Sequence, residues 1–105
     1  MGQMDQTIQV TLRKRIESAL KRAEQTDTCG VEAQTLRLVK CAMEDRDVIA
    51  RKRGDCSGCD NEVIQFLLET IADQREKSRN QFDDAGRVAD AEREREELDV
   101  ILSFL

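Results

Sequence analysis

Apolar residues recur along this chain at the spacing of helix faces. Ile8, Leu12, Ile16, Ala19 and Ala23 form one stripe and predict a helix from about residue 7 to about residue 25, whose other faces are basic. The segment QTDTCG interrupts it, and Asp27 or Thr28 can cap a second helix on which Val31, Leu38, Val39, Ala42, Met43 and Ile49 spread over a wide arc. Such an arc implies contact with more than one neighbour. RKRGDCSGCDNE then breaks the pattern with two glycines. From Asp60 onward Val63, Ile64, Leu67, Leu68, Ile71 and Phe82 mark a long third helix, which Gly86 can close in the left-handed geometry of a C′ residue. A fourth helix runs to the last residue with Leu98, Ile101 and Leu105 as its stripe. There is no internal repeat or low-complexity linker, and short connections imply antiparallel neighbours. The expected fold is all-α, a helical bundle of four helices in two antiparallel hairpins, as a single domain over residues 1–105.

One position violates its own stripe. Extending Ile64, Leu68 and Ile71 at helical spacing lands on Arg75, Ser78 and Phe82, so an arginine stands where a leucine would be expected. In a hairpin turning near Gly86, Arg75 lies level with Glu94 and Glu97 of the fourth helix. A guanidinium on a core face needs a carboxylate to offset its desolvation, so a partly buried pair of Arg75 with Glu94 or Glu97 is expected, setting the register of the hairpin.

Composition narrows the chemistry. With 37% charged and 3% aromatic residues and no proline, tryptophan, tyrosine or histidine, the chain suits charged helices. It lacks the commonest general base, the serine–histidine triad and most catalytic zinc sites, and offers no aromatic platform for stacking bases. No apolar run approaches a membrane span and the start has no signal-peptide pattern, so a soluble, cytoplasmic protein is expected. The charge is polarised: residues 1–54 carry 11 basic against 8 acidic residues, and residues 55–105 carry 6 against 14. Solvated helix faces account for such a pattern. So does a phosphate-binding patch, for which Arg13, Lys14, Lys21, Arg37, Arg51, Lys52 and Arg53 are the candidates. Arg37 lies opposite the apolar arc of its helix and is expected to be exposed.

Four cysteines in a cytosolic chain are expected to be reduced thiols. Cys56 and Cys59 form a single Cys-x-x-Cys pair; a zinc knuckle needs a second pair or histidines, and Cys29 and Cys41 do not supply one. A helix starting just after Cys59 would lower a thiol pKa, which keeps a redox reading open beside a plain loop in which Ser57, Cys59 or Asp60 is the N-cap. No cofactor is expected.

The stretches TLRLVKCAMEDRDVIARKRG and NEVIQFLLETIADQREKSRNQFDDAGRVADAEREREELDVILSFL carry Leu36 with Arg37, Gln74 with Arg75, Ser78, Ala85 with Gly86 and Arg87, and Glu94 with Glu97. In this combination the chain, from about residue 12 to 105, resembles the helical N-terminal part of the YqeY-like proteins, related to the tail domain of the B subunit of the tRNA-dependent amidotransferase. The resemblance implies a four-helix domain that normally continues past the aligned Phe104 and Leu105 into a smaller C-terminal subdomain, so a truncated domain or a short natural form is expected. Where relatives carry a Ser-Asp-Glu-Glu type cap this chain has Cys59, Asp60, Asn61 and Glu62, and the family assigns the cysteine pair no role.

In the amidotransferase the tail helps to hold tRNA while amide transfer occurs in other domains, and no residue here supports a catalytic amidase. The resemblance therefore implies an accessory domain contacting tRNA or a tRNA-modifying partner. The alternative is a protein-interaction module, docking a basic protein partner or the missing C-terminal subdomain through the acidic third and fourth helices and the C-terminal apolar residues Phe104 and Leu105.

Overall fold

A helix leaves its first N–H groups unpaired, and a capping side chain satisfies one of them at two of the four starts here. In the computed structural model, which describes residues 11–54 and 58–105, the helices are α1 (Leu12–Thr26), α2 (Val31–Lys52), α3 (Asn61–Asp84) and α4 (Val88–Leu102). The Thr11 hydroxyl caps α1, accepting from the Lys14 N–H at 3.1 Å. Asn61, the first residue of α3, accepts from the Leu12 N–H at 3.1 Å and so ties two helix starts together. Ile8 lies outside the described residues.

The start of α2 departs from expectation. Its N-cap is Gly30, with no side-chain bond, because Asp27 closes α1 and turns its carboxylate onto the Cys29 N–H, while the Thr28 hydroxyl donates back to the Glu24 carbonyl. A Cβ at Gly30 would stand 2.9 Å from the Asp27 carboxylate and 3.2 Å from its backbone carbonyl, so a side chain there would have to displace that carboxylate.

The turn between α3 and α4 follows the reading. Gly86 has φ +74°, its N–H donates to the Asp83 carbonyl, and the Arg87 N–H donates to the Phe82 carbonyl at 2.8 Å. These are the two bonds of a Schellman motif, and the side-chain contact that usually accompanies it is here Arg87 lying over the Phe82 ring, 5.0 Å from its centre. Cross-helix ion pairs show that both hairpins are antiparallel: Arg13 meets Asp47 and Glu24 meets Arg37 in the first, and Arg75 meets Glu94 and Glu97 in the second.

All four helices contribute to one core, whose fully buried side chains include Ile16, Leu36, Val39, Met43, Ile64, Leu68 and Ile101. Burial of each such aliphatic side chain contributes roughly 1.5–3 kcal/mol. Beyond Ala72, no residue of α3 belongs to that core. The 24 residues of α3 span about 36 Å and the 15 of α1 about 22 Å. Since the two helices start side by side, the far half of the α3–α4 hairpin forms an arm whose interior is only two helices thick.

Four residues of the expected stripes are not inside. Leu105 follows the end of α4 and is half-exposed, Val63 is on the rim, and Leu38 and Ile49 remain open on the outer face of α2. The arc of α2 does meet several neighbours, through Ala33, Leu36, Val39 and Met43. Leu20, which lies beside the predicted stripe of α1, is buried.

Candidate functional site

The basic residues separate into two kinds. Arg13 is consumed internally: its Nη2 donates to both carboxylate oxygens of Asp47, at 2.9 and 3.2 Å. Arg37 corrects an expectation, since it is not a free exposed cation but donates through Nε to Glu24 at 3.0 Å and is partly covered. Lys14, Lys21, Arg51, Lys52 and Arg53 are exposed and make no ion pair with another described residue. Lys14 and Lys21, seven residues apart, share a face of α1. Arg51 and Lys52 occupy the last turn of α2, where cations also complement the helix dipole. Because Asp47 and Arg13 set the last turns of α2 beside the first turn of α1, Lys14 is brought to the same end of the molecule as Arg51, Lys52 and Arg53.

Asp47 holds more than Arg13. Its Oδ1 also accepts from the Cys59 N–H at 2.9 Å, so one carboxylate joins α1, α2 and the start of α3. Burial tends to raise its pKa, but the Cys59 N–H and the Arg13 guanidinium outweigh that and hold it below the usual carboxylate range. Gly58 makes the approach possible, with φ +76° and with a Cβ, if present, only 2.7 Å from the Asp47 oxygen. The N-cap of α3 is Asp60, which accepts from the Val63 N–H at 2.9 Å. Cys59 is neither the cap nor an activated thiol: it packs against the core, donates to the Met43 carbonyl at 3.6 Å, and burial followed by the Asp47 charge pushes its pKa up. The proposed lowering by the helix start is therefore reversed. Cys56 and Ser57 lie outside the described residues. Among those described, Cys29 and Cys41 are exposed and no cluster could hold a metal ion.

In the arm, Arg75 reaches both carboxylates, Nη1 lying 3.4 Å from Glu94 and Nε 3.4 Å from Glu97. The side chains are 27%, 15% and 16% exposed. The Nε contact has the distance of an ion pair without the alignment of a hydrogen bond, leaving that Nε and Glu97 Oε2 buried without a hydrogen-bond partner. Arg93 approaches the other oxygen of Glu97 at 3.6 Å and also donates to Gln34 at 2.6 Å, linking the arm to α2. Burial, together with Glu94 beside it, pushes the Glu97 pKa up despite the two arginines. Ser78 is half-buried on the same face as Arg75, and Gln74 is exposed.

A family model described as Yqey-like protein matches residues 9–105. The chain belongs to the YqeY-like family. No curated protein and no solved structure matches it. In this YqeY-like chain the residues that carried the resemblance have physical roles. Leu36 is a core residue, Arg75, Glu94 and Glu97 form the arm's polar seam, and Gly86 with Arg87 makes the turn. Reading the sequence missed Asp47, although Leu36, Val39 and Met43 extended by four residues land on it, by the same step that found Arg75. No helix among the described residues is long and apolar enough to cross a membrane.

Proposed function

We propose that this YqeY-like chain is an accessory domain that contacts tRNA through its phosphates, using Lys14, Lys21, Arg51, Lys52 and Arg53. The observation that carries the reading is the Arg13–Asp47 pair, which sets Lys14 beside the end of α2 that bears the other three charges. Four cations at one end of a domain whose net charge is -5 make a local positive surface that a polyanion can find. Arg13 and Arg37 act in this reading as internal ties of the α1–α2 hairpin rather than as phosphate contacts. The likeness to the amidotransferase tail supports tRNA as the polyanion.

The test is a salt titration of binding to bulk tRNA, beside a variant carrying Arg51→Ala, Lys52→Ala and Arg53→Ala. Affinity should fall steeply with salt, and the variant should bind more weakly with a slope of log affinity against log salt shallower by about 2 to 3. Absence of binding at low salt, or an unchanged slope in the variant, overturns the reading.

A further inference from the structure

The outer side of the α3–α4 hairpin carries a groove that the cationic end does not use. Its floor is apolar: Ala72 of α3 faces Leu98, Leu102 and Leu105, and the last two are 48% and 51% exposed. Its rim bears Glu69, Asp73, Glu76 and Asp99, of which only Asp73 has an ion-pair partner among the described residues, the exposed Lys77. At the end toward the arm the sign reverses, where Arg79 and Arg95 line it and the Arg79 Nε is buried without a hydrogen-bond partner.

The order along the groove follows from the two helices. On α3 the sequence is Glu69, Asp73, Glu76, Arg79; on the antiparallel α4, in the same direction, it is Leu105, Leu102, Asp99, Arg95. From Glu69 to Arg79 is about 15 Å of helix, or about three turns. The apolar floor from Leu105 to Leu98 covers about 10 Å of this length, and flanked by carboxylates it fits the apolar face of a short helix with basic flanks. The charge reversal also orients it. A docked helix places its positive N-terminal end near Glu69 and Asp73, and its negative C-terminal end near Arg79 and Arg95.

We propose that this groove docks a short amphipathic helix of a partner protein, with its lysines or arginines concentrated in the N-terminal half and its C-terminal end at Arg79 and Arg95. The surface is separate from the cationic end, so the proposal stands or falls independently of tRNA binding.

The probe is a synthetic amphipathic peptide of about four turns, leucines on one face and lysines in its first half, titrated into the isotope-labelled full chain and followed by backbone amide NMR. Three further peptides serve as controls: lysines replaced by glutamate, lysines moved to the second half, and the leucine face scrambled. Amide shifts should concentrate at Ala72, Leu98, Leu102 and Leu105. The glutamate and scrambled peptides should show no saturable binding, and moving the lysines should weaken binding about tenfold. The double variant Glu76→Lys with Asp99→Lys changes two exposed residues and should weaken the first peptide at least about tenfold with its melting temperature retained. Shifts scattered over the acidic surface, equal binding of the glutamate peptide, or no shift at about 1 mM peptide overturn the proposal. So does movement of the same signals on raising protein concentration alone, which would assign the groove to a second copy, or on adding tRNA.

Discussion

The base of this molecule and its arm are both helix-on-helix packing, yet they are held by opposite means. In the base, four helices close over Ile16, Leu36, Val39, Met43, Ile64, Leu68 and Ile101, and the polar tie of Arg13, Asp47 and the Cys59 N–H sits at the edge with its hydrogen bonds made. In the arm, α3 and α4 pack on each other, with Gln34 at the start of α2 reaching Arg93, and the seam between them is Arg75 against Glu94 and Glu97 with imperfect hydrogen bonding. Two helices cannot shield a wide apolar strip on their own, and a charged seam fixes register without exposing one. The consequence is a division of labour in which the base carries stability and the arm carries alignment, at some cost from uncompensated desolvation.

Substitutions matched between the two regions sharpen the contrast. Leu68→Ala in the base should cost about 3 to 4 kcal/mol, since the site is fully enclosed and four helices resist collapse into the cavity. A urea denaturation giving under about 1 kcal/mol would break the claim of a close-packed base. Gly58→Ala should cost about 2 to 3 kcal/mol, because the strain of positive φ is joined by a clash with Asp47 that loosens three elements at once. Arg75→Ala in the arm should cost about 2 kcal/mol, between the values for buried and exposed pairs, because these side chains are only partly shielded and two carboxylates lose their partner. An unchanged melt would remove the seam from the account of the arm. Gly86→Ala should cost about 1 kcal/mol, for φ is again positive but no atom lies within 4 Å of the added Cβ. Equal losses at Gly58 and Gly86 would show that the Asp47 contact adds nothing to backbone strain.

The same contrast explains what could be read in advance. Apolar periodicity located all four helices, and the violation of the α3 stripe located the arm's seam, because Arg75 on a core face has few ways to be satisfied. Periodicity does not reveal where a neighbouring helix stops covering a face, so Leu105, Leu38 and Ile49 were placed inside when they are open. Caps were legible when the side chain acts on its own helix, as Asp60 does among the three residues considered, and illegible when a tertiary return intervenes, as at Gly30 behind Asp27. The free charge of Arg13 and Arg37 was misjudged because Asp47 and Glu24 lie on another helix or far along the chain. Counting basic residues along a sequence weighs none of those partners.

The smallest expected effect is a pH dependence whose sign differs between the two regions. Asp47 has a folded pKa below its ordinary value of 3.8, so its contribution is complete above that value and is lost as pH falls through the folded pKa. Glu97 has a folded pKa above its ordinary 4.5, so on acidification the folded chain takes up this proton before the unfolded chain does. Stability from this group therefore rises as pH is lowered from neutral through its folded pKa, and the gain is complete below 4.5. Urea midpoints measured from pH 7 downward should show Glu97→Gln losing the gain at mildly acidic pH, and Asp47→Asn losing part of the fall at the acid end. Each variant is read as its difference from the parent at every pH, so the remaining carboxylates cancel. A Glu97→Gln difference that stays constant between neutral pH and 4.5 would mean that the arm's seam bears no unfavourable charge. The division between a base held by packing and an arm held by strained electrostatics would then fail at the group on which it rests most directly.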